Sequence, residues 1–326
     1  MFDNYNRKID YIRISVTDRC NLRCIYCMPE KGIKCLESKE ILSYEEIIHL
    51  CENFAKIGIS KVKITGGEPL VRKDLALLIK GIKNIKGINN ITLTTNGILL
   101  EEQIDALADA GIDAINVSID SLDKNTYKNI TRVGNVDKVI RGINKVLEYK
   151  DIAVKINCVP IEGFNEKGIL DVIKLAQNKN IHIRFIELMP IGFGKKINGI
   201  SEDKIKKMIN GRYGELIPHN KSIGNGPSKY YTLDNFQGKI GFISAVNHKF
   251  CDTCNRVRLT SNGFLKACLQ FNEGQDLKSI IRNGKSDDEL MEVIRKVIYD
   301  KPKENRFLDL NSSEKFEENI MSQIGG

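Results

Sequence analysis

Cys20-Asn-Leu-Arg-Cys24-Ile-Tyr-Cys27 sets three thiols within eight residues at a C-x3-C-x2-C spacing. One short loop of this kind brings three soft thiolates round an iron–sulfur cube and leaves the fourth iron without a protein ligand. Catalytic metal sites keep such an open position, whereas structural zinc sites close all four. Two other readings compete: three structural thiols, disfavoured by the polar neighbours Asp18, Arg19, Asn21 and Arg23, or a zinc site that takes Cys35 as its fourth ligand. Residues 11–16 before the loop read as a buried strand, and 44–57 after it as an amphipathic helix behind Ser43, a candidate N-cap.

The same order of strand, loop and helix recurs. Strands are predicted over 62–65, 91–94, 115–119, 153–157 and 183–186, with helices over 71–83 and 101–110, a helical stretch running to about 149, and a helix over 166–178. Strands alternating with helices predict a parallel sheet with right-handed crossovers, doubly wound or curled into part of a barrel. Ligands of such sheets sit beyond the carboxyl ends of the strands, where the Cys loop falls.

Four of these strands carry a cation where apolar residues are expected: Arg13 in IRISV, Lys63 in KVKIT, Lys155 in AVKIN and Arg184 in IRFIE. An unpaired buried cation costs several kcal/mol, so each needs a partner. Either Asp18, Glu68 and Glu187, all near strand ends, supply ion pairs, or one anionic ligand serves all four. Phosphate suits the second option.

The 326 residues exceed one average domain, and we expect a barrel-like domain over 1–190 and a smaller one over 191–326. With 41% hydrophobic and 28% charged residues the composition is that of a soluble globular protein, and no apolar run reaches the ~20 residues of a membrane span. The first residues lack the apolar core of a signal peptide, which points to the cytoplasm. Nine cysteines in that setting argue for thiolate ligands over disulfides, although Cys35, Cys51 and Cys158 stand singly and read as inert. A net charge of +8 suits nucleic acid, an acidic membrane or a nucleotide, and composition does not choose.

Past Pro190 the strand–helix alternation fades, and 229–233, 239–246 and 256–260 read as antiparallel strands. Here Cys251-Asp-Thr-Cys254 is followed by Cys268 after 13 residues that read as a hairpin turning at Asn262-Gly263. A second three-Cys cluster and a zinc site completed by His248 are the two readings of this triad.

C-x3-C-x-Tyr-x-C directly after a strand resembles the motif of radical S-adenosylmethionine (SAM) enzymes, and Thr65-Gly66-Gly67-Glu68-Pro69 resembles their GGEP segment. Together with LTTNG, VSID, FIELMPIG, CNRVRLT and the terminal Gly325-Gly326, nearly the whole chain resembles the GTP 3′,8-cyclase family of molybdenum cofactor biosynthesis. The resemblance implies an incomplete (β/α)6 TIM-like barrel with a C-terminal α+β domain over its open side. It also implies two [4Fe–4S] clusters, one on Cys20, Cys24 and Cys27 and one on Cys251, Cys254 and Cys268. SAM would lie against Tyr26, Gly67, Ser118 and Met189. GTP would lie against Arg13, Lys63, Thr94, Lys155, Arg184, Arg256 and Arg258, with Gly325 and Gly326 catalytic. In the family, a 5′-deoxyadenosyl radical takes hydrogen from C3′ of GTP and the resulting carbon radical attacks C8 of guanine, giving 3′,8-cyclo-7,8-dihydro-GTP. Implied partners are GTP, an electron donor and the cyclic pyranopterin synthase that receives the product, with no membrane or nucleic acid and a homodimer left open. Two rivals remain at this stage. A twin-cluster radical SAM enzyme acting on a peptide should lack the in-strand cations, and a non-enzymatic cluster protein on nucleic acid should show a basic run that this sequence lacks.

Overall fold

The computed structural model describes residues 1–309 and 316–325. Six β/α units come first: β1 (Tyr11–Ser15) with α1 (Tyr44–Lys56), β2 (Lys61–Thr65) with α2 (Leu75–Lys83), and β3 (Asn90–Thr95) with α3 (Leu100–Asp109). They continue with β4 (Ala114–Ser118) carrying α4 (Lys124–Thr131) and α5 (Val136–Val146), β5 (Ala153–Cys158) with α6 (Ile169–Lys174), and β6 (Ile181–Ile186) with α7 (Glu202–Tyr213). After these come β7 (Ile217–His219), β8 (Lys229–Thr232), β9 (Ile240–Ile243), β10 (Arg256–Leu259), β11 (Phe264–Lys266), β12 (Gly274–Asp276), α8 (Leu277–Arg282), α9 (Asp287–Tyr299) and α10 (Met321–Ile324).

Strands β1 to β6 pair parallel in chain order, the arrangement of an incomplete (β/α)6 barrel. The later strands extend both ends of the same sheet, giving the order β12-β11-β10-β1-β2-β3-β4-β5-β6-β9-β8-β7. This corrects the expectation of purely antiparallel strands after Pro190. Antiparallel pairing holds between β8 and β9 and between β10 and β11, but β10 also pairs parallel to β1 and β9 parallel to β6. Both edges of the six-stranded sheet offer unpaired backbone groups, and β9 and β10 cover them.

Side chains alternate across each strand with period two. Ile12, Ile14, Val62, Ile64, Ile115 and Val117 join the apolar layer beneath the helices. Arg13, Lys63, Thr92, Asn116, Lys155 and Arg184 point the other way, into the interior of the barrel. Ser43 caps α1 as its position suggested, in a reciprocal capping box with Glu46. The helical stretch expected to run to 149 is two helices, broken where Arg132 takes φ 64°. Its guanidinium donates to the carbonyls of Arg23 and Met28, so the break serves the Cys loop. The helix expected over 166–178 is regular only over Ile169–Lys174.

The end of the chain folds back onto the sheet. Phe316 bridges to Phe271, the Glu317 amide donates to the Gln270 carbonyl at 2.6 Å, and Glu317 forms a buried ion pair with Lys266 of β11. Ser322 and Ile324 are buried, and the Gly325 carbonyl accepts from Arg13 Nη2 at 3.3 Å. Removing one partner of a buried pair strands the other charge at a cost of about 3–5 kcal/mol. We therefore expect Glu317→Ala to release residues 316–325, seen as faster amide hydrogen exchange there with β1–β6 unchanged. Equal protection in parent and variant would show that the pair does not hold the tail.

Candidate active site

The inner face of the sheet encloses a cavity of about 530 Å³, a volume typical of small-molecule sites. Arg258, Arg13 and Lys63 are register neighbours on three adjacent strands, and Asn116, Lys155 and His182 on three others. Arg184 donates to Asn116 Oδ1 at 2.6 Å and Lys155 to the Ile223 carbonyl at 3.2 Å. The carboxylates expected as ion-pair partners are engaged elsewhere. Asp18 accepts from the Leu36 amide, Glu68 from the Leu70 and Asn96 amides and Thr95 Oγ1, and Glu187 from the Val246 amide. Burial, reinforced by Arg184, holds Lys155 down at about 8. Burial and the charges of Arg184, Arg13 and Lys155 hold Lys63 well below the ordinary lysine range. Arg258 is pushed down by burial, Arg13 and Arg256, and Arg13 to about 10, chiefly by burial. Arg184 Nε, Arg256 Nε and Arg258 Nη1 are buried donors without a partner among the described residues. Crowded cations with spare donors ask for a polyanion, and phosphate oxygens accept charge-assisted bonds from all of them.

Cys20, Cys24 and Cys27 line the cavity beyond the carboxyl end of β1. The Arg23 and Ile25 amides donate to the Thr131 and Ile130 carbonyls, so the last turn of α4 holds this loop. A Cβ on Gly67 would overlap the Arg19 carbonyl, and one on Gly66 would crowd that of Thr17. The two glycines thus let the turn after β2 lie directly against the Cys loop. Burial pushes the Cys20 thiol up to about 11 and the Cys27 thiol to about 12, and burial with Cys27 beside it also raises Cys24. Only a strong electrophile keeps such thiols ionised, which fits a metal cluster. Gly67, Ser118 and Met189 share this part of the wall, and Tyr26 donates to Asp120 Oδ2 at 2.7 Å. Burial lifts Glu68 to about 7 and Asp120 to about 6.

Cys251, Cys254 and Cys268 also line the cavity, at the other end of the strands. Tyr11 is the register partner of Arg256, so Cys254 sits by the amino end of β1 while Cys20 follows its carboxyl end. One five-residue strand, roughly 17 Å, separates the two levels. Asn305 donates to Cys251 Sγ through both its amide and its side chain, each at 3.3 Å. Lys301 donates to the Arg256 carbonyl at 3.0 Å. Burial alone would raise the Cys254 thiol, but Lys301 and Arg256 outweigh it and leave it at about 7. Neither Cys35 nor His248, the fourth ligands that zinc would need, lines the cavity. Among the described residues no three His, Cys, Asp or Glu side chains close on a single ion; a cluster that gives each thiolate its own iron does not require that. Cys51 is buried in the apolar core and Cys158 faces the Asp120 carbonyl.

Thr94 is on the same wall, so every site residue taken from the resemblance borders one cavity, apart from the terminal glycines. Gly325 meets that set through Arg13, and Gly326 lies outside the described residues. Asn116, Asp120, Lys301, Asn305 and the loop 223–227 were missed as site residues. A period-two polar pattern, Asn90-Thr92-Thr94 and Asn116-Ser118, marks part of the inward face in the sequence.

The radical SAM superfamily model matches residues 14–176, and a model described as Molybdenum Cofactor Synthesis C matches 181–307. A GTP 3′,8-cyclase of Clostridium perfringens (strain SM101 / Type A) is 45% identical over 327 residues, covering 100% of both chains. One of Desulforamulus reducens is 45% identical over 329 residues with the same coverage. Among solved structures, Streptococcus suis SuiB bound to S-adenosylmethionine shares the fold at a TM-score of 0.60 and 17% identity, over 90% of this chain and 66% of that one. No helix among the described residues is long and apolar enough to cross a membrane. Likeness of this extent spans the whole length of the chain, and the chain belongs to the GTP 3′,8-cyclase family of radical SAM enzymes.

Proposed function

We propose that this chain converts GTP to 3′,8-cyclo-7,8-dihydro-GTP, the first step of molybdopterin synthesis. The observation that carries the reading is the convergence of two Cys triads and of Arg13, Lys63, Lys155, Arg184, Arg256 and Arg258 on one cavity. Cys20, Cys24 and Cys27 would hold a [4Fe–4S] cluster, which when bound would supply the electron for SAM cleavage, and the protein's part is to bind and orient. Tyr26, held by Asp120, stands with Gly67, Ser118 and Met189 around SAM. The cations take the triphosphate and Thr94 touches the nucleotide. Cys251, Cys254 and Cys268 would hold a second cluster, which when bound would offer its open iron to guanine. On this reading residues 1–190 form the SAM-binding domain and 191–326 the domain that reads the base. An electron donor serves the first cluster, the product passes to a cyclic pyranopterin synthase, and the setting is the cytoplasm, with a homodimer left open.

Anaerobic incubation with SAM, dithionite and each nucleoside triphosphate, followed by mass spectrometry, tests the reaction directly. Only GTP should yield a cyclised product, and its absence with 5′-deoxyadenosine still released would reject the substrate. Cys20→Ala, Cys24→Ala and Cys27→Ala should abolish 5′-deoxyadenosine release. Cys251→Ala, Cys254→Ala and Cys268→Ala should stop cyclisation and spare part of that release. Zinc found at the second triad would overturn that division of labour.

Lys155→Ala, Arg256→Ala and Arg258→Ala each remove a charge-assisted bond worth roughly 1.5–3 kcal/mol. Each variant should therefore lose affinity for GTP and almost none for guanosine, measured by equilibrium dialysis. Parental GTP affinity in all three would exclude phosphate recognition by these side chains.

Gly325 and Gly326 are taken as catalytic from the resemblance, and the contact of the Gly325 carbonyl with Arg13 supports a place for the tail at the site. Deleting both should leave SAM cleavage largely intact and stop hydrogen abstraction at C3′, with partial rescue by a peptide ending in Gly-Gly. A truncated enzyme that cyclises GTP at the parental rate would remove the tail from the reaction.

A further inference from the structure

The cavity has a floor at the amino ends of the strands, where Tyr11, Asn90, Ala114, Ala153 and His182 face inward. Across it runs a segment between β7 and β8 whose residues Ile223 to Pro227 all line the cavity. Two bonds tie the segment to the barrel: Asn225 Nδ2 donates to Asn90 Oδ1 at 2.6 Å, and the Ile223 carbonyl accepts from Lys155 Nζ at 3.2 Å. Gly224 takes φ 78°, and a Cβ there would overlap the Lys155 ammonium, so the backbone passes as close to that cation as a chain can.

Arg13, Lys63 and Lys155 are each the third residue of their strand. The cations therefore stand only about 7 Å above the strand starts at a rise of ~3.3 Å per residue. A polyphosphate held by them and running toward the strand starts would meet this segment. Lys155 has three donors, so it can keep the Ile223 carbonyl and still bind phosphate oxygen.

We propose that the 221–227 loop, latched by Asn90 and Asn225, is the floor on which the polyphosphate ends and that it selects the triphosphate by length; this deepens the GTP reading above and rests on it. The loop accepts a terminal phosphate beside Lys155 and leaves no depth for another. Its latch residues position the loop and take no part in the chemistry. Because Lys155 bridges ligand and loop, nucleotide binding and loop order are linked.

The test titrates the full-length enzyme, with both clusters reconstituted anaerobically, with GDP, GTP and guanosine 5′-tetraphosphate by calorimetry. Asn225→Ala and Asn90→Ala are compared with the parent, and amide hydrogen exchange of 221–227 is followed with GTP and with guanosine. The parent should prefer GTP over the tetraphosphate by about tenfold or more, and each variant should narrow that ratio to about threefold or less, a change of at least half a decade in Kd ratio. GTP, but not guanosine, should slow exchange of the loop in the parent. An unchanged ratio in variants whose loop exchanges faster would overturn the proposal, as would variants whose loop exchange does not change, since the latch would then hold nothing. A parent enzyme that binds GTP but does not discriminate against the tetraphosphate would overturn the floor and leave the GTP reading standing. Binding of no guanine nucleotide at all would instead bring down the GTP reading itself.

Discussion

Everything in this molecule accommodates one electrostatic constraint: several like charges are buried together on the inner face of a sheet. A parallel sheet in a barrel is ordinarily apolar on both faces, and an uncompensated ammonium or guanidinium there costs several kcal/mol. Lys63 feels Arg184, Arg13, Lys155 and Arg256, all of them repulsive. The carboxylates near the strand ends do not relieve this, because Asp18, Glu68 and Glu187 stitch loops together through backbone amides. The protein tolerates the arrangement because the outer face is continuous apolar packing, with Ile12, Ile14, Val62 and Ile64 fully or almost fully buried. Stability resides on one face of the sheet and binding on the other.

Topology explains how two Cys triads, more than two hundred positions apart in the chain, come to share a chamber. Because β10 lies parallel to β1, the segment entering β10 reaches the amino end of the barrel while the segment leaving β1 reaches the carboxyl end. An antiparallel β10 would have brought both triads to the same end. The environments differ as well as the positions. The thiols of the first triad resist ionisation, whereas in the second Lys301 and Arg256 bring positive charge to Cys254. Both triads receive hydrogen bonds at sulfur, Cys251 from Asn305 and Cys20 from the Leu22 amide and Asn96 Nδ2, of the kind that tunes a cluster.

Local chemistry was legible in the sequence, and long-range neighbours were not. The six strands, the N-cap at Ser43, the Cys loop and the in-strand cations all follow from residues close together in the chain. What β9 and β10 pair with is decided by which sheet edges stand open, and periodicity carries no trace of that. The break at Arg132 escaped for a related reason, since its positive φ is sustained by bonds to Arg23 and Met28 over a hundred residues away. Lys-Ser-Ile-Gly-Asn-Gly-Pro at 221–227 has the composition of an exposed turn, and only the fold reveals that it reaches Asn90 and Lys155. Asn116 and Thr92 stood in plain alternation with Ser118 and Thr94, but buried strands invite an apolar reading and hid the polar face.

A cyclisation between two parts of one nucleotide sets a particular demand on a binding site. The sugar and the base must be held in a fixed relation while the reacting carbons stay free of protein groups that would trap a radical. On the proposed reading, Arg13, Lys63, Lys155 and Arg184, which line one cavity, would meet that demand at a distance by gripping a phosphate chain remote from the bond that forms. Binding energy from a non-reacting part of the substrate is then available to restrict the motion of the reacting part. Cations borne on neighbouring strands of a single sheet are fixed relative to one another by backbone ladders rather than by loops. On the proposed reading, strand-borne cations would give the ribose a rigid reference frame, and a triphosphate would be the partner that relieves the repulsion among them.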